Sequence, residues 1–388
     1  MPVKNRFAEL QTEITEWRRD IHENPEILYE THRTSALVAE KLQSFGCDEV
    51  VTGIGRTGVV AVIKGKTDSS GKVIGLRADM DALPIMEATG LDYASKTPGA
   101  MHACGHDGHT AMLLGAAKYL SETRNFDGTV VLIFQPAEEG GGGGKEMCDD
   151  GMMERWGIQE VYGMHNWPGM PVGSFSIRAG AFFAATDQFE ITLEGRGGHA
   201  AKPHETVDTT VMAAQTVLAL QTIASRNADP VDPLVVSVTS FETSSKAFNV
   251  IPQKVQMKGT VRTMSAEMRD LAEKRINEIC NGIAATFGGT ANVNYIRGYP
   301  VMVNHQDQTE FAAEVAQSVS GSCEDADLVM GGEDFAFMLE ERPGAYILVG
   351  NGEDGAMVHH PEYNFNDEAI PAGCSWWAEI VERRMPAA

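Results

Sequence analysis

Hydrophobic and polar positions alternate in two distinct regimes along this chain. From Phe7 to about Gln43 apolar residues recur at helical spacing, broken near Asn24-Pro25, where proline disfavours a helical residue before it. Three apolar runs with polar endings then predict strands: Lys72–Arg77, Thr129–Phe134 and Val161–Met164. Strands alternating with helical stretches predict an α/β fold with a sandwiched, mostly parallel sheet. Between about Ala185 and Arg297 the order changes. It reads strand (188–193), helix (207–225), strand (234–239), strand (254–262), helix (266–287) and strand (291–296). That β-α-β-β-α-β order is the split βαβ signature of a ferredoxin-like α+β unit. Ala345–Val349 then reads as another core strand, and a helix from about Ala372 to Arg384 closes the pattern. The economical domain reading is a larger α/β domain in two parts, 1–184 and 298–388, with a smaller domain, 185–297, inserted between them.

Composition narrows the function classes. The chain has 388 residues and 43% hydrophobic content, more than one core usually organises. Its net charge of −23 would repel phosphate backbones and anionic membrane surfaces, so neither nucleic acid nor membrane is an expected partner. The polar, amphipathic start MPVKNRFAELQTEITEWRRD has no apolar signal-like core, and no 18-residue apolar run follows. The expectation is a soluble, cytoplasmic protein. Six cysteines without regular spacing predict reduced, inert thiols, except Cys104, which sits among histidines.

In open α/β sheets the binding crevice lies beyond the carboxyl ends of the strands. The residues following the predicted strands are Asp79-Met80-Asp81, His102-Ala-Cys-Gly-His-Asp-Gly-His109, Gln135-Pro-Ala-Glu-Glu139, His165-Asn-Trp167 and His359-His360-Pro361. Any one cluster is ordinary for a solvated loop; five at successive strand ends point to metal. Imidazole, thiolate and carboxylate together suit borderline divalent ions such as Zn, Mn, Co or Ni. Paired Cys-x-x-Cys motifs are missing, which excludes a closed four-cysteine zinc site and argues against deaminase chemistry. Glu138 and Glu139 are adjacent: with one on a metal, the other can accept a proton from metal-activated water. The run Gly140 to Gly144 reads first as a flexible turn and alternatively as close backbone approach. It is no phosphate loop, since Lys145 is followed by Glu146.

The motifs GLRADMDALP, MHACGHDGHTA, FQPAEEG, GMHNWP, GRGGHAAKPH, FNVIP, GTVRT, GGEDF and HHPEYNFND, taken jointly, resemble the M20 metallopeptidase family. The likeness is to its amidohydrolase branch, which holds hippurate hydrolases, N-acyl-amino-acid amidohydrolases and auxin-conjugate hydrolases. It runs from Arg18 in RRDIHENPE to Asp367. The resemblance implies two divalent metal ions held by Cys104, His106, Glu139, His165 and His359, with Glu138 as general base. It favours His359 over His360. Asp81 would orient the ligands, or simply cap a turn; His102 and His109 would support rather than ligate. From the inserted domain His199 would stabilise the oxyanion, often in a neighbouring subunit, or bind local backbone. Asn249 and Arg262 resemble positions that hold the substrate's carboxylate and amide, and could instead tie strands together. Glu333 and Asp334 look like supporting acids. The implied substrate is an N-acyl or N-aroyl amino acid, with homodimers or larger homo-oligomers formed through the insert. The competing readings are a dipeptidase-like exopeptidase and a catalytically silent metal-binding protein.

Overall fold

The computed structural model describes residues 4–387, which divide into two compact units. The first comprises the chain to Gly180, Val303–Asp327 and the stretch from Asp334 onward; the second comprises Ala181–Met302 and Leu328–Glu333.

The first unit is built on an eight-stranded sheet. Its strands lie in the order Glu49–Ile54, Gly58–Lys64, Thr129–Gln135, Val73–Asp79, Glu160–Trp167, Gly344–Gly350, Phe175–Ile177 and Glu324–Asp325. The four central strands are mutually parallel, and antiparallel pairings flank them on both sides. This gives the mixed, mostly parallel α/β sheet expected. Near-continuous burial of the central strands explains their Val/Ile-rich runs, since helices must cover both faces of a parallel sheet. Helices Asn5–Glu23, His106–Thr123 and Ile370–Arg384 pack together against it.

The strands extend further than their apolar runs. Val73–Asp79, Thr129–Gln135 and Glu160–Trp167 carry Arg77, Asp79, Gln135, His165 and Asn166 inside the sheet, all buried. The expectation that the polar groups begin after the strands is corrected here. These side chains satisfy one another, so the ladder continues through them. In register, Asp79 stands opposite Gln135, and Leu348 opposite His165, which aligns the strands' carboxyl ends along one edge.

The second unit has its own core around Phe189, Ile191, Leu193, Met212, Met257 and Ile276. Its four strands are ordered Leu234–Thr243, Lys254–Thr263, Ala185–Glu194, Thr290–Arg297, all antiparallel, with helices Thr209–Thr222 and Ala266–Phe287. Burial alternates along Ala185–Glu194, as expected of a sheet covered on one face. Asp208 and Ser265 cap the two helices by accepting from first-turn N–H groups.

Candidate metal centre

The carboxyl end of the first unit's sheet brings together all five predicted ligands, Cys104, His106, Glu139, His165 and His359, and the predicted base Glu138. Cys104, His106 and His165 form one cluster within ligand reach; Cys104, Glu139 and His359 form a second; His106, Glu138 and Glu139 form a third. Cys104 Sγ lies 3.3 Å from His165 Nε2, and His359 Nε2 lies 3.3 Å from Glu139 Oε1. His360 turns away into its own loop, where Nδ1 accepts from the Glu362 N–H at 3.1 Å. His102 joins none of these clusters, and burial holds its ring neutral, with a pKa pulled down to about 3.

Local hydrogen bonding leaves the donor atoms directed at one another. His165 Nδ1 donates to the Asn166 carbonyl at 2.5 Å, which leaves the Nε2 lone pair facing Cys104. Burial keeps this imidazole neutral. His109, by contrast, is used up inside the protein: Nδ1 donates to Asp79 Oδ1 at 2.6 Å and Nε2 accepts the Asn166 N–H at 2.9 Å. It is a support and has no free nitrogen for a metal.

The fit to a cation shows in what stays unpaired. Both ring nitrogens of His106 and Glu139 Oε1 are buried without a hydrogen bond, and they face other charged groups only at ion-pair distance, Asp81 Oδ1 at 3.5 Å from His106 Nδ1 and His359 Nε2 at 3.3 Å from Glu139 Oε1. Such groups cost about 1–3 kcal/mol each unless something pairs with them. Burial opposes the charged ring of His106, but the charges of Asp79, Asp81 and Glu139 prevail and raise its pKa to about 10. Burial and the nearby Glu139, Glu138 and Asp79 push the Cys104 thiol well above its ordinary range. A divalent cation displacing these protons would neutralise the same carboxylates, which is how metal uptake couples to proton release. Cys104→Ser is therefore expected to weaken metal binding or shift metal preference, because a hydroxyl is a poorer anionic ligand than a thiolate. Metal content after dialysis checks this, together with alkylation: rapid labelling of metallated Cys104 without metal loss would contradict ligation.

Asp81 sits behind this set. Its two oxygens accept the backbone N–H groups of Glu138 and Glu139 at 2.9 and 3.1 Å, and Oδ1 lies 3.5 Å from His106 Nδ1. It thereby fixes the adjacent glutamates relative to His106. Ala137, just before them, adopts φ 55°, a strained conformation for a residue with a Cβ. The glycine run explains how that turn is held. A Cβ on Gly143 would stand 1.7 Å from the Pro136 carbonyl oxygen, and Gly143 N–H donates to the Ala137 carbonyl. Close backbone approach, and not a slack turn, is the reason for glycine here.

Sequence reasoning missed the charge network beneath the site. Arg77, wholly buried, donates to Gln135 Oε1 and Asp79 Oδ2 at 2.8 Å and to Asp334 Oδ1 at 2.9 Å. Asp334 also accepts from Gln135 Nε2 and from the Gly144 N–H, both at 2.8 Å. Burial disfavours the Asp79 carboxylate, yet His106 and Arg77 hold it well below the usual range. The signal available was an arginine within a run otherwise apolar. Arg77→Met is expected to cost about 3–5 kcal/mol in urea unfolding, because two carboxylates lose their buried countercharge. A loss below about 1 kcal/mol would deny the network that role.

The remaining predicted residues belong to the second unit. His199, in the short strand Gly198–His199, pairs with Val250, and the Asn249 carbonyl accepts the Ala200 N–H at 3.0 Å, so His199 and Asn249 are neighbours. His199 is exposed, and its Nδ1 accepts the Ala201 N–H at 3.1 Å, leaving the proton on Nε2. Arg262 is half-buried in mid-strand, bonded to Thr260 Oγ1 and the Val261 carbonyl. Glu333 also falls in this unit.

A parallel sheet whose strand ends present a buried thiol, imidazoles and paired carboxylates defines an α/β metal-binding protein. Residues 75–383 match the model of peptidase family M20/M25/M40, and the chain belongs to that family and is a hydrolase. It is 43% identical over 381 residues to a hippurate hydrolase of Campylobacter jejuni, covering 97% of each chain. An N-acetylcysteine deacetylase of Bacillus subtilis is 37% identical over 372 residues, covering 95% of this chain and 96% of its own. Among solved structures, the Bacillus subtilis YXEP protein, described as a dinuclear metal-binding peptidase of the M20 family, superposes with a TM-score of 0.86. Its identity is 34%, over 98% of this chain and all of that one. Among the described residues no helix is long and apolar enough to cross a membrane.

Proposed function

We propose that this protein hydrolyses the amide bond of N-acyl or N-aroyl amino acids, releasing a carboxylic acid and an amino acid. The observation that carries this reading is the convergence of Cys104, His106, Glu139, His165 and His359 around buried, unpaired donor atoms with Glu138 alongside. The names of the relatives, a hippurate hydrolase and an N-acetylcysteine deacetylase, agree with an acylated amino acid as substrate. Two divalent ions, of Zn, Mn, Co or Ni type, would be held by those five residues, as the description of the YXEP structure suggests by analogy. When bound, such ions supply Lewis-acid polarisation and acidify water. Glu138 accepts a proton of the attacking water as the C–O bond forms and returns it to the departing amine as the C–N bond then breaks. Asp81 holds the Glu138-Glu139 backbone and His106 in place during this exchange. From the second unit His199 donates through Nε2 to the developing oxyanion, while Asn249 and Arg262 serve the substrate's carboxylate and amide.

A second copy of the chain is the expected partner, docking on the second unit. Leu234–Thr243 is the terminal strand of its sheet, and Val235 and Phe241 on it, with Val211 and Leu218 on the Thr209–Thr222 helix, are exposed apolar residues. The test of the function is amine release from a panel of N-acyl amino acids, with hippurate and unblocked dipeptides compared at equal metal loading. Turnover of dipeptides alone would replace this reading with an exopeptidase, and no turnover by fully metallated protein would replace it with a silent binding protein.

A further inference from the structure

Three of the four stretches that carry the proposed ligands, 102–106, 165 and 359, come from distant parts of the chain and must be held to within about 0.2 Å for a metal to bind. The polar contacts among them converge on one side chain, Asn166. Its Nδ2 donates to the Cys104 carbonyl at 2.6 Å and to His109 Nε2 at 3.0 Å, and its Oδ1 accepts the Tyr363 hydroxyl at 2.6 Å. One amide hydrogen meets the Cys104 carbonyl, the other shares His109 Nε2 with the Asn166 backbone N–H, and the carbonyl meets a hydroxyl donor, so the Cys104 carbonyl and the Tyr363 hydroxyl set the orientation of the amide. Asn166 and Tyr363 are both completely buried.

This arrangement clamps Cys104 from both sides. The Cys104 carbonyl is taken by Asn166, and the preceding carbonyl, of Ala103, accepts the N–H of His359 at 2.7 Å. Tyr363 lies four residues after His359, and its own N–H donates to the His360 carbonyl at 2.9 Å, which closes the segment carrying that histidine. Gly105 completes the fit. It adopts φ 88°, and a Cβ there would stand 2.2 Å from Asn166 Nδ2 and 2.4 Å from the Tyr363 hydroxyl. The side-chain polar atoms of Asn166 and Tyr363 are engaged with each other, the Cys104 carbonyl and His109, so the pair acts on the ligands through hydrogen bonds.

We infer that Tyr363, acting through Asn166, is a positioning residue that sets the mutual geometry of Cys104, His165 and His359. The inference rests on the ligand set given under Proposed function. Removing the Tyr363 hydroxyl frees the Asn166 amide to rotate, and the loop bearing Cys104 then loses the hydrogen bond that aims its thiolate. Outer contacts of this kind are worth about 10–100-fold in metal affinity.

Cobalt(II) is the probe, read by equilibrium dialysis and by its absorption spectrum, in which thiolate-to-cobalt charge transfer and the d–d bands report ligand geometry. Tyr363→Phe is expected to weaken cobalt binding about 10–100-fold and to change the spectrum, with the urea midpoint of the metal-free protein lowered by the unpaired Asn166 carbonyl but unfolding still cooperative. Asn166→Asp, which replaces the donor facing the Cys104 carbonyl by an oxygen, is expected to weaken binding at least as much. Because one residue acts through the other, the double variant should bind no worse than Asn166→Asp alone. If Asn166→Asp fails to fold, Tyr363→Phe still decides the matter.

A wild-type spectrum and an affinity within twofold of wild type for Tyr363→Phe would overturn the positioning role, as would losses that multiply in the double variant. Cys104→Ser separates this failure from that of the ligand set. A changed Cys104→Ser spectrum beside an unchanged Tyr363→Phe spectrum rejects the positioning role alone. An unchanged Cys104→Ser spectrum, or no cobalt uptake by the wild-type protein, rejects the ligand set and the positioning role with it.

Discussion

Glu138→Gln is expected to lower turnover of the best N-acyl amino acid by about 10²–10⁴-fold while metal content stays near that of the wild type. The amide keeps the size of the carboxylate but cannot accept a proton from water. Glu138 is buried within ligand reach of His106 and Glu139, and its backbone N–H is held by Asp81 at 2.9 Å. That bond involves the main chain and survives the substitution, so the loss should appear in kcat with little change in the site's architecture. Inductively coupled plasma analysis beside steady-state kinetics checks both parts. Near-normal turnover in the metal-loaded variant would remove Glu138 as the base.

His199→Ala is expected to lower turnover by about 10²–10³-fold with metal content unchanged, the usual effect of losing one oxyanion donor. The structural support is the tautomer: Nδ1 is occupied by the Ala201 N–H, so the exposed Nε2 carries a hydrogen it can donate. The proposed ligands all lie in the first unit and His199 in the second, so the role requires a substrate served by both units or by two subunits. Mixing the two inactive variants, Glu138→Gln and His199→Ala, distinguishes these cases. Hybrid dimers that work in trans would contain one site with both groups intact and would recover activity. Verified hybrids without activity would reject the trans arrangement, and wild-type turnover by His199→Ala would reject the catalytic role.

The alternation of apolar and polar residues was enough to determine the class of fold. Short, Val/Ile-rich runs such as Thr129–Phe134 fit a doubly covered sheet by their length and β-branched content, and the strand and helix order of 185–297 permits few topologies. The chemistry of the ligand-bearing segments was equally legible, because Cys, His and Glu gathered at successive strand ends have few shared purposes. What the sequence could not supply was partner identity. Whether His109 ligates or supports depends on whether Asp79 and the Asn166 N–H reach its two nitrogens, and those groups lie 30 and 57 positions away in the chain. His359 and His360 are neighbours of identical chemistry; only the fold turns one toward Glu139 and the other back to Glu362. Arg77 read as the polar end of a strand until the register set it between Asp79, Gln135 and Asp334. Local pattern reflects how each residue meets water or core, and so determines the elements and the inventory of donors. Hydrogen-bond pairing is a property of distances between segments far apart in the chain, and only the tertiary structure decides it.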